Sequence, residues 1–470
     1  MRPRVVSAVI AIAWLGALAG AVPASSAGTR QPAAGSQLWV SRYNGPINGV
    51  DQAYSVQVSP DGSKVFVTGW SSGTGSGYDY ATLAYSASTG AQLWVSRYNG
   101  PGNRDDQALS VDVSPDGSKV FVTGHSKRIP VAGFSAWDYA TLAYDATTGA
   151  QLWVSRYDTA GRQDDAHTVK VSPDGTKVFV TGLSVGTSGY SGYATVAYDA
   201  TTGAQLWVTR YEGLGIGADA RTMDVSPDGT EVFVTGTFTV VPKEGNSTSC
   251  HVTSGNYDWA TVAYSAVTGT QLWVMPYDGP AHGDDEPHGI AANGTAVFVT
   301  GRIATTVCWD YVTLAYDAAT GALLWQMSYN GPANQDDAAY AVGVSPDGTT
   351  VYVTGGSVGA TPYNDYATLA YDAATGTVQW VMRYDGPAHS EDSPTSLAVS
   401  RDGTKVVVTG ASRGTTSNWD YATVAILASA LPLVSQAHPW DQCGRRGGVH
   451  RRLGGAGPGR AGRSGSLLRR

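Results

Sequence analysis

Charge is scarce in this 470-residue chain, where Asp, Glu, Lys and Arg together supply 14% of the residues. Phenylalanine (7), methionine (5) and cysteine (3) are few. Beyond the first 21 residues no segment is apolar enough to cross a bilayer as a helix. No nucleophile motif and no zinc-ligand spacing stands out. The glycine-rich stretch GTGSG, from Gly73, precedes no helix and so makes a poor nucleotide fingerprint. What is abundant is Gly (59), Tyr (26) and Trp (14), with many Thr and Val. That mixture suits short strands joined by glycine-containing turns.

The two ends differ from the body. Residues 1–27 have a basic start, an apolar run from Val5 to about Ala21 and small residues ending at Ala27. These are the marks of a secretory signal peptide cut after Ala27. No Cys follows the apolar run, which argues against a lipid anchor, and no stable span is expected after cleavage. Residues 428–470 carry eight Arg and one Asp, and residues 1–30 three Arg and no acid. The middle is left with 19 basic and 37 acidic side chains. So acidic a body argues against nucleic acid as a partner for the folded part. The Gly/Arg tail is read as disordered, either a polyanion-binding arm or a segment without a selected role.

Between these ends the chain repeats itself. VFVTG or a variant ends at Gly69, Gly124, Gly182, Gly236, Gly301, Gly355 and Gly410. YAT or a variant follows each, and a strand tryptophan falls at Trp39, Trp94, Trp153, Trp207, Trp273, Trp325 and Trp380. One unit reads as four antiparallel strands: an alternating QAYSVQVS, the turn SPDG, then KVFVTG, YATLAYDA, the turn ATTGA with Gly149, and QLWVSRY. Seven such units predict an all-β, seven-bladed propeller. The expected division is signal peptide 1–27, linker 28–36, propeller 37–427 and tail 428–470. The chain opens on a lone fourth strand and ends on three strands lacking a fourth. Trp39's strand is therefore expected to pair with Tyr421–Leu427 and close the ring, removing exposed edges.

The stretch Arg97–Gly124, RYNGPGNRDDQALSVDVSPDGSKVFVTG, continuing to DYATLAYD, resembles the bacterial seven-bladed beta-propeller repeat (SBBP) family. That resemblance covers nearly all of Gln37–Leu427, and implies export without implying any catalytic residue. The hairpin Ala143–Trp153, AYDATTGAQLW, is similar to the tryptophan-docking repeat of pyrroloquinoline-quinone enzymes, which implies a Trp packed between neighbouring blades. Such dehydrogenases typically have eight blades, and many carry an adjacent Cys pair. This chain has seven units and no adjacent cysteines, so only the packing mode is carried over.

Candidate chemistry gathers where each fourth strand leads into the next unit. An Asp recurs there at Asp51, Asp106, Asp165, Asp219, Asp285, Asp337 and Asp392, preceded by a second acid at Asp105, Asp164, Asp284, Asp336 and Glu391. Such a ring of carboxylates could bind Ca²⁺, with Asp106, Asp165, Asp285 and Asp337 as first candidates. Alternatively each Asp bonds backbone N–H groups in its own loop. A further Asp precedes most YAT motifs, at Asp79, Asp138, Asp258, Asp310, Asp365 and Asp420. His282 and His389 occupy matching loop places. Cys250 and Cys308, in the long loops of adjacent blades, could form a disulfide. Phe134, Trp137, Tyr257 and Trp309 put aromatic surface at the same rim, where loops on a rigid scaffold carry specificity. They serve either a ligand or the packing between blades.

The reading drawn from this is an exported, monomeric propeller that binds an extracellular protein or glycan through its loop-rich acidic face. It has no certain cofactor, Ca²⁺ being the candidate. A polymer-cleaving propeller enzyme and a structural envelope module are the alternatives.

Overall fold

The computed structural model describes residues 39–129, 137–159, 161–213, 217–240, 256–359, 362–415 and 419–428. Within these lie 27 strands and no helix, and hence no helix long and apolar enough to cross a membrane. Six sheets have four strands and the last has three, each in plain sequence order with antiparallel pairing. Seven blades fit these sheets. In the second blade the strands are Asp106–Val113, Lys119–Lys127, Trp137–Asp145 and Gln151–Tyr157. First strands of consecutive blades touch one another in series from the first blade to the seventh, so they form the inner wall.

Each conserved-looking letter of the unit has a local cause. In SPDG, Ser59 Oγ donates to Asp61, and Asp61 accepts from Ser63 N–H at 3.0 Å. These bonds hold the Asp61 carboxyl well below its usual range and close the turn. The Gly of VTG faces a bulge: a Cβ on Gly124 would lie 2.0 Å from the Gln107 carbonyl oxygen, where the inner strand shifts register between Ala108 and Ser110. The two Thr of VTG and YAT pair in the blade interior, as Thr123 and Thr141 do at 2.9 Å. The YAT tyrosine reaches the next blade, with Tyr139 Oη donating to Ala194 O at 3.1 Å.

Tryptophan docking joins the blades. Trp94, Trp153, Trp273 and Trp325 each donate Nε1–H to a carbonyl in the following blade's outer hairpin: Ala146, Ala200, Ala318 and Ala373. Trp207 and Trp380 do the same to Ala266 and Ala428. The hairpin glycine is required twice over. Gly149 has φ +71°, and a Cβ there would lie 2.6 Å from the Trp94 ring. Packing between blades, implied by the docking hairpin, is thus what the structure shows.

The opening segment takes part in the same scheme. Trp39 Nε1 donates to Ala87 O at 2.8 Å, Ser41 Oγ bonds Gly90 O, and Tyr43 Oη accepts from Arg97 at 3.1 Å. Trp94, Ser96 and Tyr98 make the same three contacts one blade later. Residues 39–45 therefore sit on the first blade as the outer strand of a preceding blade would. Among the described residues the last sheet stops at three strands. The inner strand of the first blade is open: Val56 and Val58 are 62% and 51% exposed, against 6% and 8% for Val111 and Val113 in the second. The structure records no pairing between the opening segment and Tyr421–Leu427.

Candidate functional site

Strand direction places the loops after each fourth strand on the same rim as the loops before YAT, because Asp106 pairs with Ser126 and Ser126 with Asp138. The recurring Asp is buried there, and its carboxylate is used inside the blade. Asp106 is fully buried and accepts from Gly100 N–H at 2.6 Å; Asp337 and Asp392 accept from Gly331 and Gly386 in the same way. Burial pushes the Asp106 carboxyl up to about 6, against the pull of Ser126, Gly100 and Arg156.

The register of the third and fourth blades differs from the sequence expectation. Asp164, one residue earlier than Asp165, pairs with Ser184 and accepts from Thr159 N–H at 2.7 Å, because this loop is one residue shorter. In the fourth blade the place belongs to Ala218, opposite Phe238. Asp165 and Asp219 instead line the inner wall. So Asp106, Asp165, Asp285 and Asp337 do not form one ring: three are buried in separate blades and the fourth is offset.

The preceding acids also have structural partners. Asp105, Asp284 and Asp336 accept from Tyr78, Tyr257 and Trp309 N–H, each in the blade before. Glu391 accepts from Asn364 Nδ2 at 2.9 Å. The acid before YAT is met by an arginine at the end of the fourth strand: Arg97–Asp79 at 3.0 Å, Arg156–Asp138 at 2.8 Å and Arg383–Asp365 at 2.9 Å. Arg156 Nη1 also donates to Ser126 Oγ at 2.7 Å and to Tyr98 Oη of the blade before at 3.0 Å. A charge-assisted fork of this kind fixes the rim of the blade.

His282 and His389 replace the Asn of other units at a left-handed position, with φ 50° and 46°. Each Nδ1 lies 2.7 Å from an Asp four residues back, Asp278 and Asp385. Asn103 accepts from Asn99 at the same spacing, so the His–Asp pair stands in for an Asn–Asn pair.

Where the repeat breaks down is the inner wall of the second to fifth blades. His125 lies 3.9 Å from Asp165, His167 3.5 Å from Asp219, and Arg221 3.4 Å from Asp219. Farther round, Arg302 and His288 lie 2.9 and 3.4 Å from Glu286, and His288 stacks on Tyr340. Burial lowers His125 to about 4, and the bonds from His288 and Arg302 lower Glu286 to about 2. His167 and His288 each also bond the next blade's inner strand, Nδ1 lying 2.8 Å from Ala220 O and Ala339 O, while the charged partners around them differ from blade to blade. Asp165 and Asp219 were visible in the sequence as loop aspartates; His125, His167, Arg221, His288, Glu286 and Arg302 were missed because they lie on strands and not at the recurring acidic positions, and the histidines were the available signal.

The aromatic candidates separate. Tyr257 is exposed and lines a cavity of about 250 Å³ together with Asp219, Arg221 and Thr237. Trp137 is half-buried, 5.1 Å under Lys127 Nζ and edge-on to His125. Trp309 is buried beneath Arg302 at 4.3 Å. Phe134 and Cys250 lie outside the described residues, and the Cys250–Cys308 pair remains an expectation.

The family model described as outer membrane protein assembly factor BamB matches residues 29–261 and 258–423. The chain belongs to this BamB-like family. The match bears on the quinone-type docking hairpin and not on the seven-bladed bacterial repeat as such. Among solved structures the chain is similar to BamB from Moraxella catarrhalis at 17% identity, covering 77% of this chain and 83% of that one, TM-score 0.42. It is also similar to Chaetomium thermophilum Sqt1 at 12% identity, covering 78% and 83%, TM-score 0.48. The WD40 repeats of RRP9 are similar at 10% identity, covering 76% and 86%, TM-score 0.45. No curated protein matches the chain.

Proposed function

We propose that this protein is an exported, non-enzymatic scaffold that holds a partner protein against the loop-rich rim and inner wall of its second to fifth blades. The observation that carries the reading is the break in the repeat there. Six of the seven loop positions carry an aspartate used to hold its own loop, whereas His125, Asp165, His167, Asp219, Arg221, Glu286 and Arg302 vary from blade to blade. A rigid ring offering irregular, paired charge and the exposed Tyr257 fits recognition of a polar protein surface. Membership of a family described by outer membrane protein assembly supports a protein over a glycan. In this reading residues 1–27 direct export, 37–427 form the SBBP-type propeller, and the opening strand closes the ring against Tyr421–Leu427.

The test is a photo-crosslinking amino acid placed at Tyr257 or, on the opposite rim, at Asp174, in cells that export the protein. A discrete crosslinked protein from position 257, lost with Arg221→Glu and absent from position 174, is expected. Equal crosslinking from both rims, or none from either, contradicts the proposal.

A further inference from the structure

One junction departs from the arginine scheme on both sides. At three junctions a trio of aspartates converges, with one oxygen of each lying within 4.8 Å of the others: Asp138, Asp158 and Asp164; Asp258, Asp278 and Asp285; Asp365, Asp385 and Asp392. Arg156 binds the first trio and Arg383 the third. Serines complete these two: Ser184 bonds Asp164, and Ser412 stands opposite Asp392. Between the fourth and fifth blades every one of these partners is missing. Pro276 takes the arginine place, and Phe238 is paired with Asp258 where five of the other six blades have Ser. Ile303 stands opposite Asp285, and Ser328 takes the arginine place of the fifth blade.

Among the described residues, three carboxylates therefore meet without a guanidinium. Asp285 is fully buried and accepts only main-chain N–H groups, from Gly279 and Ala304. Asp258 is 6% exposed, and its buried Oδ1 has no hydrogen-bond partner. Asp278, at the open side, is met by His282 at 2.7 Å. A buried, unpaired carboxylate beside two others is costly unless a counter-charge joins it. We propose that Asp258, Asp278 and Asp285 bind one divalent cation of the calcium type, which replaces the lost arginine. Oxygens held about 2.3–2.6 Å from a shared ion lie at most about 4.6–5.2 Å apart across it, so three oxygens within 4.8 Å of one another can share one; the all-oxygen donors suit a hard cation, and the solvent side at Asp278 leaves room for water ligands. Magnesium, which demands a strict octahedron and dehydrates reluctantly, is less suited to three protein carboxylates in one cage. The site lies on the same rim as Tyr257, and its metal binding does not rest on partner binding.

The test uses the full exported chain, stripped with chelator and titrated with CaCl₂ by calorimetry and by thermal melting. One Ca²⁺ per chain and a melting temperature that rises with Ca²⁺ are expected, with MgCl₂ at least about tenfold weaker. Asp278→Asn, at an exposed position, should abolish both signals, and Asp385→Asn at the arginine-bearing junction should leave them. Pro276→Arg, restoring the partner of other blades, should also remove the Ca²⁺ response. No heat and no melting shift up to about 5 mM CaCl₂, beyond the millimolar range of weak extracellular sites, overturns the proposal. So does a Ca²⁺ response that survives Asp278→Asn; either result would leave a proton shared among the carboxylates as the compensating charge.

Discussion

Removing one docking tryptophan tests how the blades are joined. Trp153 is 8% exposed, lies between Phe121 and Tyr198 with ring centroids 5.9 and 6.3 Å away, and donates to Ala200 O. Trp153→Ala should cost about 3–5 kcal/mol, as buried aromatic truncations do. Gly203 sits under that ring with φ +71°, and a Cβ would lie 2.6 Å from Trp153 Cδ2. Gly203→Ala should thus pay about 1–2 kcal/mol for the left-handed backbone and about 1–3 kcal/mol for overpacking. In the double variant the ring is gone, and the backbone cost and the contact with the rotatable Ser155 Oγ at 2.8 Å remain. The two substitutions should therefore fall short of additivity by about 1–3 kcal/mol. Urea unfolding followed by far-ultraviolet circular dichroism, which does not depend on the lost fluorophore, reads all four corners. Additivity within about 0.5 kcal/mol would refute the argument that glycine is there to admit the ring.

Other expectations follow from the same geometry. Asp106→Asn keeps an acceptor for Gly100 and removes a carboxyl raised from 3.8 to about 6. Because the folded value lies above the unfolded one, the wild type loses stability as pH rises from about 4 to 6 and no more above that. The variant should gain up to about 2–3 kcal/mol over wild type at pH 7.5 and nothing at pH 3, read from urea midpoints; a pH-independent difference contradicts this. Tyr139→Phe, which leaves the buried Ala194 carbonyl without its cross-blade donor, should cost about 1–2 kcal/mol in the same assay. The mature protein recovered from an exporting host should begin at Gly28 by intact mass.

The blade was legible because its letters answer to local rules: a Ser–Asp turn, a glycine under a bulge, a glycine under an indole. Those rules act within one hairpin or between neighbours, so they repeat wherever the fold repeats. The aspartate ring was less legible. A six-letter window aligns Asp165 with Asp106, yet the loop before Asp164 is one residue shorter, and a one-residue slip sends a strand side chain to the other face. The partners of the preceding acids were not legible, because their donors, Tyr78, Tyr257 and Trp309, are 27 residues back in the neighbouring blade. The gap at the Asp258 junction was readable in principle as QLWVMPY among RY endings. Its meaning required knowing that the arginine faces the YAT aspartate.

Closure of the ring is the claim on which the rest depends, and amide hydrogen exchange tests it most directly. In the full chain, the amides of Tyr421–Leu427 that do not bond the second strand of the last blade should be protected. In a chain lacking Gln37–Tyr43 the same amides should exchange quickly, and the melting temperature should fall sharply. Equal exchange and equal melting in the two chains would mean that the opening strand docks on the first blade alone and that the ring stays open.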